Sequence, residues 1–72
     1  MSEKNIWHPV SEKPENYSGW IIESRMEKNT KQRFVVQAFK YDSGIDWENH
    51  IKQDKIEEWS YQQDYFEEMR MS

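Results

Sequence analysis

Two runs of β-prone residues constrain the fold of this chain more than any other feature. Trp20-Ile21-Ile22-Glu23-Ser24-Arg25-Met26 and Arg33-Phe34-Val35-Val36-Gln37-Ala38-Phe39-Lys40-Tyr41 are separated by the polar segment Glu27–Gln32. Branched and aromatic side chains fit a pleated, half-buried surface, and runs bounded by turn formers pair as strands. We read them as a central antiparallel hairpin, entered through Ser18-Gly19 and left through Asp42-Ser43-Gly44. Alternate residues of a strand share a face. Trp20, Ile22, Ser24 and Met26 therefore oppose Ile21, Glu23 and Arg25, while Phe34, Val36 and Ala38 oppose Val35, Gln37, Phe39 and Tyr41. Neither run alternates cleanly, so both sheet faces are expected to be partly covered. Phe34–Phe39 is also an uncharged, proline-free, aggregation-type hexamer, flanked by Arg33 and Lys40 as gatekeepers.

The remaining segments arrange themselves around the hairpin. Residues 1–5 are polar and expected to fray. Ile6–Val10 is a short extended segment whose Pro9 lacks an amide donor, which restricts it to an edge. Ser11–Asn16 reads as a loop, with Pro14 and Asn16 supplying turn chemistry. Beyond Gly44 there is neither Gly nor Pro, and two readings stay open. One has a loop or short helical turn over Asp46–Asp54, a strand around Lys55–Tyr61 and a terminal helix from about Gln62, with Tyr61, Tyr65, Phe66 and Met69 on its apolar stripe. The other is a single long helix with Ile56, Trp59, Gln63 and Phe66 on one seam, which periodicity alone slightly favours.

Seventy-two residues make one small domain, 1–72. An aromatic share of 15% separates it from disordered chains, which are poor in aromatics. With no cysteine to form a disulfide, a domain this small commonly leans on a metal or a partner subunit, so self-association is expected to be open to it. No apolar run approaches a membrane span and no signal-peptide core follows Met1, hence an expected cytoplasmic location. The net charge of −4 is uneven: −2 over residues 1–23, +4 over 24–41 and −6 over 42–72. Such asymmetry bears on association.

Four kinds of chemistry can be weighed. Asp46, Glu48 and His50 sit at alternate positions and would line one strand face as metal ligands, with Asp54 and His8 as additions. Two histidines without cysteine make a poor zinc set, however, and the spacing does not fit a calcium loop. The bland alternative, a solvated acidic turn, is favoured, and no cofactor is expected. Catalysis has no nucleophile elbow or phosphate loop behind it, and the domain offers little room for a pocket, so a non-enzymatic chain is expected. Arg25, Lys28, Lys31, Arg33 and Lys40, with Phe39 and Tyr41 beside them, form a basic and aromatic hairpin of the type that holds single-stranded nucleic acid. A solvated hairpin tip explains the charges more simply. Protein association or homodimerisation is favoured over nucleic acid, because a basic hairpin and an acidic tail are complementary and Trp, Tyr and Arg are enriched at interfaces. Trp7, Trp20 and Trp59 are expected core anchors, and Trp47, expected to be the most exposed tryptophan, joins the hairpin residues as a candidate interaction residue. His8 and His50 are expected at the surface.

Trp7-x-Pro9-Val10-Ser11-Glu12-Lys13-Pro14-Glu15, Ser18-Gly19-Trp20-Ile21-Ile22, the aromatic-rich Ala38–Tyr41 and Ile56-x-x-Trp59 follow in order over residues 6–60. This pattern resembles a small phage- and prophage-associated family catalogued as domain of unknown function 551. His8 and the proline-free Ser60-Tyr61-Gln62-Gln63 depart from it. The resemblance implies a compact sheet with Trp59 on a third strand, and it carries no activity or site residue with it. The resulting expectation is an α+β domain: a small antiparallel sheet of three strands, Ile6–Val10 as a candidate fourth at the edge, and a C-terminal helix.

Overall fold

The computed structural model describes residues 5–71. Among them β1 (His8–Pro9), β2 (Gly19–Met26), β3 (Arg33–Tyr41), α1 (Trp47–Asp54), β4 (Glu58–Tyr61) and α2 (Gln62–Met71) follow in order. The strands form one antiparallel sheet in the order β1-β4-β2-β3, so the α+β architecture holds with the fourth strand included. The fraying expected of residues 1–5 falls, except for Asn5, outside the described residues. One correction concerns the hairpin. β2 is interior, but β4 takes its other side and leaves β3 as the sheet edge.

A β-bulge decides which side chains share a face. The register slips between Glu23 and Ser24, which pair with Gln37 and Val35, so Val36 has no cross-strand partner. Cross-strand partners lie on the same face. One face therefore carries Ile21, Glu23 and Arg25 with Phe39, Gln37 and Phe34. The other carries Trp20, Ile22, Ser24 and Met26 with Lys40, Ala38, Val35 and Arg33. Unbroken alternation would put Phe34 with Ala38 and Val35 with Phe39, and the single extra residue exchanges them.

The C-terminal third is helix, strand and helix, because α1 has two firm ends. Asp46 is its N-cap, accepting from the Asn49 N–H at 3.2 Å, and Lys55 closes it in the left-handed conformation at φ 55°. Arg25 reaches across from β2 to the exposed end of the helix, donating from Nε to Lys55 O and from Nη2 to Asp54 O, both at 2.8 Å. These contacts satisfy carbonyls that a helix end leaves open. The Glu57 N–H then bonds Ser24 O at 3.0 Å, and the chain continues as β4. The seam of a single long helix is thereby broken: Ile56 lies before the strand, Trp59 on it, and Gln63 and Phe66 on α2.

The core lies on the face of Ile21, where Tyr41, Trp47 and Trp59 are buried with it and Val10, Tyr17, Phe39, Ile45, Ile51 and Tyr61 pack around them. Two indoles tie the loop after β1 to this core: Trp47 Nε1 donates to Val10 O at 2.9 Å and Trp59 Nε1 to Glu12 O at 2.7 Å. A buried indole needs such an acceptor. Trp47 is thus a core residue, only 7% exposed, whereas Trp20 is 45% exposed. Both expectations are reversed: Trp20 sits on the face opposite Ile21, where Ile22 and Ser24 are buried but Trp20 is not. Trp7 is half-buried, held between the Arg33 guanidinium at 4.7 Å and the Tyr65 ring at 5.8 Å. No helix is long and apolar enough to cross a membrane among the described residues.

Candidate functional site

Beside the core, on the same face, lies a cluster of polar side chains. Glu23 is wholly buried at the middle of β2. Its Oε2 is 2.6 Å from His50 Nε2 on α1, and its Oε1 accepts from Gln37 Nε2 at 2.8 Å. The same Gln37 nitrogen donates to Asp54 Oδ2 at 2.7 Å, and His50 Nδ1 lies 3.5 Å from that carboxylate oxygen. The imidazole is therefore placed between two carboxylates, one facing each ring nitrogen. The Phe39 ring stacks on it at 3.8 Å. A separation of 2.6 Å is short enough for a charge-assisted hydrogen bond.

Glu23, His50 and Asp54 offer ligand atoms within 4.8 Å of one another, as a shared metal ion would require. Against that use, the Gln37 amide already stands between the two carboxylates and donates to both. No buried side-chain nitrogen or oxygen lacks a hydrogen-bond partner among the described residues. The arrangement is chemically complete without an ion: a buried carboxylate, its imidazole partner and an amide linking two acids.

The metal set expected from spacing does not assemble. Asp46 caps α1, Glu48 is exposed in its first turn, and His50 alone turns inward, with its side chain 13% exposed. Alternate residues share a strand face, but on a helix they stand about 200° apart. His50 is not the expected surface residue, and Asp54 belongs with Glu23 rather than with Asp46. His8 is half-buried and stacks on Trp59 at 4.5 Å. Sequence reasoning missed Glu23 and Gln37 as site residues. A glutamate inside an apolar strand was the available signal.

The basic hairpin is also divided. Arg25 is engaged at the end of α1, while Arg33, on the opposite face, pairs with Glu58 at 2.7 Å. Lys28 and Lys31 occupy the exposed hairpin turn, and Lys40 is exposed beside Trp20. Tyr41 is buried at 4% exposure and Phe39 is stacked on His50. Of the expected interaction residues, Phe39, Tyr41 and Trp47 are thus part of the packed interior, and the bulge sets the arginines back to back. Burial, and after it the neighbouring Tyr17 phenol, push the Tyr61 hydroxyl above its ordinary range.

A second feature is apolar. On the face away from α1, Trp20 is 45% exposed with exposed Lys40 opposite it and Ala38 diagonal to it, and Val35, opposite Ser24 further along the strands, is 44% exposed. This part of the sheet includes the edge strand β3. An open surface groove of ≈ 610 Å³ runs between the loop at Val10 and Lys13 and the α1 residues Trp47 and Ile51. Its two acids, Asp46 and Glu48, stand at the start of α1. No family model, curated protein or solved structure matches this chain.

Proposed function

We propose that this chain is a non-enzymatic binding module that recognises another protein chain through the β2–β3 face turned away from α1. On the resemblance of residues 6–60, it would be of phage or mobile-element origin. The observation that carries the reading is the exposure of Trp20, at 45%, with exposed Lys40 opposite it and Ala38 diagonal to it on the edge strand β3. A tryptophan in water forgoes a large burial gain, and surfaces that recover it are enriched at interface centres. An open edge strand with apolar side chains adds backbone groups that a partner can also engage. The Glu23–His50–Asp54–Gln37 cluster is read as internal support for the sheet, because its polar groups are spent on one another. Nucleic acid is the weaker reading, since Phe39 and Tyr41, the rings expected beside the basic residues, are packed inward and Arg25 and Arg33 are engaged on opposite faces.

Affinity capture with the full chain and with Trp20→Glu tests this. The native surface should retain a stoichiometric protein partner, its own copy included, that the variant loses while keeping native circular dichroism. Recovery of the same proteins by both would refute the reading.

A further inference from the structure

The open half of this face and the flank of α2 on the same molecule each present an exposed aromatic ring beside a charge, and the two charges are opposite in sign. α2 packs on β2 and β4, leaving the β3 side of the sheet uncovered. The uncovered side presents exposed Trp20, with Lys40 directly opposite it on β3. On α2, Phe66 is 49% exposed and Glu67 is exposed next to it. Neither Lys40 nor Glu67 has an ionic partner among the described residues.

The interior also leaves room for a partner's contribution. Among the described residues, seven hydrophobic residues are buried and the chain has no cysteine. Domains this small commonly gain stability from oligomerisation.

From these observations, and resting on the protein-binding reading above, we infer that the partner is a second copy. The chain forms a two-fold dimer in which α2 of each molecule seats on the open β2–β3 half of the other, Phe66 against Trp20 and Glu67 facing Lys40. A two-fold axis makes the contact twice, so each complementary patch is satisfied in both copies. An interface of about 800 Å² per copy is the usual size for a specific complex, roughly one seventh of the 5704 Å² surface of this chain. Edge-to-edge joining of two β3 strands is the competing arrangement. The longest register that matches faces on both sides of the bulge would set Arg33 against Lys40 of the second copy, twice. Like charges directly opposite each other disfavour it.

Light scattering on the full chain, across a concentration series, should give twice the 8.9 kDa chain mass. Lys40→Glu and Glu67→Lys, both at exposed positions, should each weaken the dimer about ten-fold, since the contact occurs twice. Combining them should restore most of the loss by exchanging the charges. A chain that stays monomeric at millimolar concentration overturns the proposal, and so does a dimer indifferent to both reversals or unrescued by their combination. A monomer that nonetheless captures a different protein through Trp20 would refute the dimer and leave the protein-binding reading standing.

Discussion

Replacing His50 with alanine would take the imidazole from between Glu23 and Asp54 and leave a carboxylate in the interior with only Gln37 as donor. Glu23 has no solvent exposure, and its contact to His50 is 2.6 Å. Leaving a buried carboxylate without its main hydrogen-bond partner costs about 3 kcal/mol or more, above the roughly 1–3 kcal/mol of a neutral group, because it is neither solvated nor matched. Loss of the Phe39 stacking at 3.8 Å adds about 0.5–1.5 kcal/mol. A domain of this length has roughly 4–11 kcal/mol in total, so His50→Ala should consume much of it. The midpoint of thermal unfolding should fall by about 15–30 °C. Glu23→Gln keeps the shape, since its amide can face His50 Nε2 and its carbonyl can accept from Gln37. Its cost should be about 1–2 kcal/mol. The double variant leaves no buried charge at position 23, so it should lose less than the two single losses together, by about 1.5–3 kcal/mol. Urea unfolding followed by tryptophan fluorescence and circular dichroism would measure all four corners of the cycle. Additivity within about 0.5 kcal/mol, or a His50→Ala cost below about 1 kcal/mol, would refute the account of a buried glutamate held by hydrogen bonding to the imidazole.

Two further outcomes test other parts of the structure. Lys55→Gly should stabilise the chain by about 0.5–1 kcal/mol in urea unfolding, because Lys55 closes α1 at φ 55°, where a side chain is strained and glycine is not. The Tyr61 hydroxyl is shifted upward in the folded chain, chiefly by burial, so its contribution is intact below the ordinary tyrosine value of about 10 and is lost as pH rises through the raised folded value. Stability should therefore fall more steeply above about pH 10 in the native chain than in Tyr61→Phe, and equal slopes in alkaline melts would contradict this.

Much of the fold was legible because its signals are local. The two strands, the turn residues that bound them and the edge character of the proline-containing Ile6–Val10 segment follow from neighbouring residues. The last third was legible only as two alternatives. Apolar spacing over Ile56–Met69 suits a helix, and the stop at Lys55 depends on a left-handed residue that carries no glycine to announce it. Contacts from distant residues help hold that stop: Arg25 reaches the end of α1 from thirty residues away, and the Glu57 N–H joins Ser24 O.

The site was less legible for the same reason. His50 was visible as a titratable residue, but the expected companions Asp46 and Glu48 share a face with it only on a strand. Its real companions are 27 residues back at Glu23 and four residues on at Asp54. Gln37 links both acids from a third element. Trp20 and Trp47 exchanged their expected places because composition says that a tryptophan seeks burial without saying which face of a sheet will provide it.

By itself, then, the sequence determined that this chain makes a small antiparallel sheet with helical additions, that it has no disulfide to stabilise it, and that its basic hairpin stands in an acidic chain. Propensity, turn chemistry and charge are properties of residues and their near neighbours. Tertiary structure alone decided which face of β2 became the core, which strand became the edge, and that Glu23, Gln37, His50 and Asp54 meet. A one-residue bulge inverts the facing of part of a strand, and the pairing of β4 with β2 joins segments some forty residues apart. Those outcomes depend on how elements dock, which no local window contains.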